Sequence, residues 1–201
     1  MKRGFLLGVC WFCLLSRAWA QRQMAELGRG VVAVRISSSR ILVSWRMLGT
    51  DPDDIAFNVY RATGGNPAVR INASPVTTTT DFVDTPSRMN YDNTYHVRPV
   101  LNGIEQGPSD TFTVPANAPL PTDHQGNIAP YLSVPLDVPT AGTTPRASYT
   151  DSPNDAREGD LDGDGELENV LKWDPSNSKD NAHSGYTGNV LLDAYELDGT
   201  R

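Results

Sequence analysis

The chain has 201 residues and carries 17 Lys and Arg against 24 Asp and Glu, a net charge of −7, and that acidic balance repels phosphate backbones and anionic lipid surfaces. Its two cysteines, Cys10 and Cys13, both lie near the start, which leaves the rest of the chain without a disulfide, a thiolate nucleophile or a thiolate metal ligand. Nucleic acid and membrane are therefore not expected as partners, and folding has to rest on an apolar core and on ions.

Residues 1–20 read as a signal peptide. Lys2 and Arg3 supply the positive start, Phe5 to Leu15 is a short apolar run, and Ala18-Trp19-Ala20 places small residues ahead of Gln21. The expectation is a secreted protein, extracellular or periplasmic, cleaved near Ala20-Gln21. A run of about eleven residues falls well short of the roughly 20 that a bilayer span requires. Removing Lys2, Arg3 and Arg17 takes the 17 basic side chains to 14 against 24 acidic ones, a net charge of −10.

Within a domain expected over 21–115, residues 31–115 alternate short apolar runs of period two with turn clusters such as Gly49-Thr50-Asp51-Pro52-Asp53, Gly64-Gly65-Asn66-Pro67 and Asn102-Gly103. Seven short strands are predicted. Ile41, Val43 and Trp45 share one strand face, Phe57 and Val59 another, Tyr95 and Val97 a third. The pattern predicts a two-sheet sandwich with Trp45 and Tyr95 in its core. Through Ile41-Leu42-Val43-Ser44-Trp45, Phe57-Asn58-Val59-Tyr60-Arg61 and Thr94-Tyr95-His96-Val97, the segment resembles a fibronectin III-like module.

Residues 116–153 shift to Pro, Thr, Ala and Gly, as a linker does, with one strand expected at Tyr131 to Leu136. A second unit is expected over 154–201, with strands at Asn169 to Trp173 and Asn189 to Leu197. Along the second of these, Val190, Leu192 and Ala194 alternate with Leu191, Asp193 and Tyr195. Little chain remains after them to cover an apolar face.

The strongest chemical signal is Asp160-x-Asp162-x-Asp164-Gly165. It sets carboxylates at alternate positions of a loop whose glycines let backbone carbonyls turn inward. Glu166 and Glu168 bring the acids to five within nine residues, and like charges ~5 Å apart repel by roughly 3 kcal/mol per pair at an effective dielectric of ~20. A hard cation, Ca2+, relieves that repulsion, and a structural role is favoured over a catalytic one. The twelfth loop position is Leu171, not the bidentate Glu of an EF-hand, and Asn169-Val170-Leu171-Lys172-Trp173 reads as a strand. The bland alternative is a solvated acidic turn.

A second cluster, Lys172-Trp173-Asp174-Pro175-Ser176-Asn177-Ser178-Lys179-Asp180-Asn181 followed by Gly185-Tyr186-Thr187-Gly188-Asn189, sets aromatic rings beside amides and carboxylates. Such groups suit sugar hydroxyls; equally, they build loops held by Asx turns.

Taken in order, Gln23-Met24-x-x-Leu27-x-Arg29-Gly30, Ser44-Trp45-Arg46-x-Leu48-Gly49-Thr50-Asp51-Pro52, Asn154-Asp155-Ala156, Gly159-Asp160-Leu161-Asp162-Gly163-Asp164-Gly165-Glu166 and the run Leu171 to Asn181 resemble the N-terminal third of rhamnogalacturonan lyases of polysaccharide lyase family 11. The resemblance implies an all-β protein: a fibronectin III-like β-sheet domain followed by the start of a calcium-binding β-propeller, here its first blade. It implies cleavage of rhamnogalacturonan I, a pectic polysaccharide, by β-elimination at galacturonate. Carried over residue by residue, Asn154 and Asp174 match substrate contacts, and Asp160, Asp162, Asp164, Glu166 and Glu168 match calcium ligands. Lys172, Lys179, His183 and Tyr186 are local candidates for the base, and none is assigned. Relative to that family the chain is expected to stop within the first blade, with catalytic groups lying further on and little lyase activity of its own. The competing expectation is a non-catalytic, calcium-dependent carbohydrate-binding or adhesion protein.

Overall fold

The computed structural model describes residues 26–123 and 125–201, and the signal peptide expected over residues 1–20 lies outside them. Among the described residues every regular element is a strand. The first part holds β1 (Val32–Arg35), β2 (Ile41–Ser44), β3 (Ala56–Thr63), β4 (Val69–Arg70), β5 (Asp81–Asp84), β6 (Asn93–Leu101), β7 (Ile104–Glu105) and β8 (Phe112–Val114). One sheet has the order β1-β2-β5; the other has β4-β3-β6-β7, with β8 also pairing β6. There are eight strands here and not seven: β4 and β7 have two residues each, too short to show an alternation.

The two sheets close on the side chains that period two selects. Ile41, Val43, Val59, Tyr95 and Val97 are fully buried, with Trp45 and Phe57 nearly so. Burying each large side chain contributes about 1.5–3 kcal/mol. Trp45 and Phe57 meet across the core with ring centroids 5.4 Å apart and planes tilted by 56°. The buried carboxylate of Asp84 is satisfied several times over: it accepts from Tyr95 Oη (2.8 Å), Ser87 Oγ (2.7 Å) and Arg61 Nη1 (2.6 Å).

The linker differs from expectation. Tyr131 to Leu136 forms no strand, because Pro130 and Pro135 remove backbone donors and no ladder partner lies alongside. It is held by side chains instead, with Val134 packed on the second core and Asp137 N donating to Tyr195 Oη at 3.3 Å. The strands of this region are β9 (Gly142–Thr143), β10 (Ser148–Tyr149) and β11 (Asp151–Gly159).

With β12 (Glu168–Pro175) and β13 (Leu191–Tyr195), β11 forms a three-stranded antiparallel meander in chain order. Trp173, Tyr195 and Leu171 make its core. Trp173 is fully buried, and its Nε1 donates to Asp193 Oδ2 at 2.8 Å. β13 is shorter than expected and buries Tyr195, while Val190, Leu191 and Leu192 stay exposed. Among the described residues no helix is long and apolar enough to cross a membrane.

Candidate metal and carbohydrate sites

The acidic loop connects β11 to β12. Gly159 and Glu168 are the last ladder pair, so a backbone pair closes the loop's base. Within it, each aspartate takes a backbone donor ahead of it: Asp160 Oδ1 from Gly163 N (2.7 Å), Asp162 Oδ1 from Asp164 N (3.1 Å) and Asp164 Oδ1 from Glu166 N (2.8 Å). This wraps the chain so that oxygens of Asp160, Asp162 and Glu168 lie within 4.8 Å of one another. Asp164 and Glu166 are not in that group.

Glu168 is the unusual member. It is 5% exposed, its Oε2 accepts from Leu161 N at 2.6 Å, and its Oε1 is buried with no partner among the described residues. A buried carboxylate oxygen without a donor is costly; a cation between the three side chains would supply what is missing. Glu196 approaches the same place from the end of β13, one step beyond the Asn169–Tyr195 pair. Partial desolvation, then the charges of Glu168, Asp162 and Asp164, push its carboxyl above the usual range. Of the four, Asp162, Glu168 and Glu196 line a cavity of about 260 Å³ whose wall also holds Leu161, Ala194, Thr200 and Arg201. The acidic alternation locates three of these groups; Glu196 becomes visible only once the β12–β13 register is known.

Glu166 points elsewhere. Its Oε2 lies 3.5 Å from Arg46 Nη2, and burial pushes its carboxyl up against the opposing pull of Arg46.

The second site is built by a β-bulge. The β11–β12 register runs Pro153↔Trp173 and then Ala156↔Leu171, so Asn154 and Asp155 together oppose Lys172. A bulge re-aims side chains, and here Asn154 Nδ2 donates to Asp174 Oδ2. Lys172 Nζ holds the other carboxylate oxygen at 3.0 Å. The lysine hydrogen bond first, and the Asn154 amide second, keep the Asp174 carboxyl below its usual range, so the cluster presents an anion, a cation and an amide in one partly exposed patch. Of the four candidate bases, Lys172 touches this pair; Lys179 instead donates to Ser184 O at 3.4 Å. In the neighbouring loop, Gly188 N donates to Asn177 Oδ1 at 2.8 Å.

The two sites sit at opposite ends of β12. Asp174 lies six residues beyond Glu168, on the order of 20 Å at ~3.3 Å per residue. A cation at the loop would therefore not reach a sugar held at Asp174.

A β-sandwich joined to an antiparallel meander, with an acidic loop at one end of the meander and a bulge-built polar patch at the other, defines an all-β protein. Comparison with known proteins narrows this. Residues 22–115 match the "Rhamnogalacturonan I lyases beta-sheet domain" and residues 131–201 the "Rhamnogalacturonan lyase family 11, C-terminal domain". The chain belongs to rhamnogalacturonan lyase family 11.

It is 50% identical over 190 residues to rhamnogalacturonan endolyase YesW of Bacillus subtilis, covering 94% of this chain and 27% of that protein. It is 46% identical over 181 residues to the exolyase YesX of the same organism, covering 90% and 26%. The crystal structure of YesW superposes with a TM-score of 0.70 at 52% identity, over 90% of this chain and 28% of that one. The Bacillus licheniformis rhamnogalacturonan lyase gives 0.70 at 50% identity, over 89% and 27%. The chain thus spans about a quarter of the length of the curated relatives it matches.

Proposed function

We propose that this chain is part of a secreted, calcium-dependent rhamnogalacturonan lyase, in which the bulge cluster of Asn154, Lys172 and Asp174 binds galacturonate-containing rhamnogalacturonan I. The observation that carries this is the bulge itself: an extra residue in β11 sets Asn154 against Asp174 beside a lysine, in a chain of this family. Asn154 and Asp174 suit sugar hydroxyls as donor and acceptor, and the Lys172 ammonium complements the uronate carboxylate. The meander is the start of the propeller, as its first blade.

The proposed reaction is β-elimination. A base removes the proton on C5 of galacturonate, the electron pair forms the C4–C5 double bond, and the bond from C4 to the bridging oxygen breaks, that oxygen taking a proton. The patch contributes binding and orientation to this step. The residues present also fit a hard cation at Asp160, Asp162 and Glu168 with Glu196 beside them: all are oxygen donors, and one buried oxygen is unpaired. Calcium held there would supply charge neutralisation that fixes the loop. The distance to Asp174 supports a structural role for it.

Electrophoresis through gels containing rhamnogalacturonan I tests the binding. Retardation that is lost in D174A and absent in gels of a neutral glucan supports the reading. Equal mobility in all gels contradicts it.

A further inference from the structure

The acidic loop is gripped from outside by the sandwich. Gly28 N donates to Gly165 O at 2.7 Å, and Arg46 Nη1 reaches the same carbonyl at 3.4 Å and Gly28 O at 3.3 Å. Arg46 Nη2 pairs with Glu166 Oε2 at 3.5 Å. One guanidinium therefore touches both the incoming segment and two consecutive loop residues, which a planar fork of donors can do and a point-charge ammonium cannot.

Two glycines make the fit. At Gly165, φ is +93° and an added Cβ would stand 2.8 Å from Glu26 O, so a side chain would push the segment off the loop. At Gly30, φ is +52° and the Arg46 guanidinium occupies the space a side chain would take. The grip is anchored in the core. Arg46 N donates to Arg29 O at 2.7 Å, Arg29 forks onto Asp51 at 2.5 and 2.7 Å, and the Arg29 guanidinium lies 5.1 Å from the Phe57 ring centroid.

We infer that Arg46, with the Gly28–Gly30 segment, is a positioning element for the cation loop and couples ion binding to the β-sandwich. This rests on the reading of Asp160, Asp162 and Glu168 as a calcium site. Glu166 is then the loop's handle to the sandwich. Holding Gly165 and Glu166 fixes the second half of the loop, so that Glu168 arrives at Asp160 and Asp162 already in place; groups that orient ligands without touching the metal typically alter affinity by about 10- to 100-fold.

The test is calorimetric titration with calcium chloride, joined to hydrogen exchange of peptides covering residues 27–34 with and without calcium. The intact chain is expected to bind calcium and to slow exchange at Gly28, whose N–H is bound to Gly165 O. R46M is expected to bind about tenfold more weakly and to lose the calcium-dependent protection. R46K, which keeps the charge and loses the fork, falls between the two and stands in if R46M does not fold. Equal affinity and equal protection in the variants would overturn the coupling and leave the calcium site standing. Absence of calcium binding in the intact chain would overturn the site, and the coupling with it.

Discussion

Glu168 Oε2 accepts a hydrogen bond from Leu161 N, while its other oxygen is buried without a partner. One carboxylate thus ties the two ends of the acidic loop together and still carries an unanswered charge. E168Q should have opposite effects in the two states of the site. Calcium affinity should drop by tenfold or more, as loss of a ligand implies, while without calcium the variant should gain about 1 kcal/mol from relief of the buried charge. Calcium isotherms and urea midpoints in chelator check both signs.

Arg29 and Asp51 form the fork that roots the grip on the loop, with side chains only 12% and 7% exposed. The Arg29 hydrogen bonds, more than the Leu48 N–H, hold the Asp51 carboxyl below its ordinary value against the opposing effect of burial. Because the folded value is the lower one, the native state binds fewer protons than the unfolded chain in acid. The contribution is complete above the unfolded value near 4 and drains away as pH falls through the folded one. D51N should cost about 2 kcal/mol at neutral pH, and its deficit should shrink as pH falls below about 4. Urea unfolding across that range measures the gap.

Trp173 is the centre of the meander's small core and is fully buried. W173A should cost about 3–5 kcal/mol, and W173F, which keeps most of the packing and loses the bond to Asp193, about 1 kcal/mol. Chemical denaturation followed by far-ultraviolet circular dichroism would order the three proteins.

How legible all this was depends on the residue. The face positions Ile41, Val43, Trp45, Phe57, Val59, Tyr95 and Val97 are all buried, because period two in short strands maps directly onto one side of a sheet. The acidic alternation likewise found Asp160, Asp162 and Glu168. β11 was invisible: its sequence from Asp151 to Gly159 is polar, contains Pro153 and is almost wholly exposed, so it carries no apolar alternation, and an edge strand tolerates its proline. With β11 unseen, the bulge that aims Asn154 could not be read either. Glu196 feels the charge of Glu168 across 28 residues and Arg46 reaches the Gly165 carbonyl across 119, and no local pattern encodes such approaches.

The side chains of the bulge give a prediction for binding. D174A and N154A should each weaken retention of rhamnogalacturonan I about tenfold, near 1.4 kcal/mol, with melting temperature little changed, since both side chains are exposed or partly so. K172Q should weaken binding to galacturonate-containing fragments more than to fragments whose carboxylates are esterified. Fluorescence anisotropy with labelled fragments separates the three.

Nuclear magnetic resonance titration of the chain with rhamnogalacturonan oligosaccharides reads out whether the β11 bulge is a contact surface for rhamnogalacturonan. Saturable shifts are expected at the Asn154 side-chain amide and at residues 152–155 and 172–175, with the acidic loop at 160–168 unmoved. Shifts confined to the loop or to the sandwich, or none at saturating oligosaccharide, would contradict that contact.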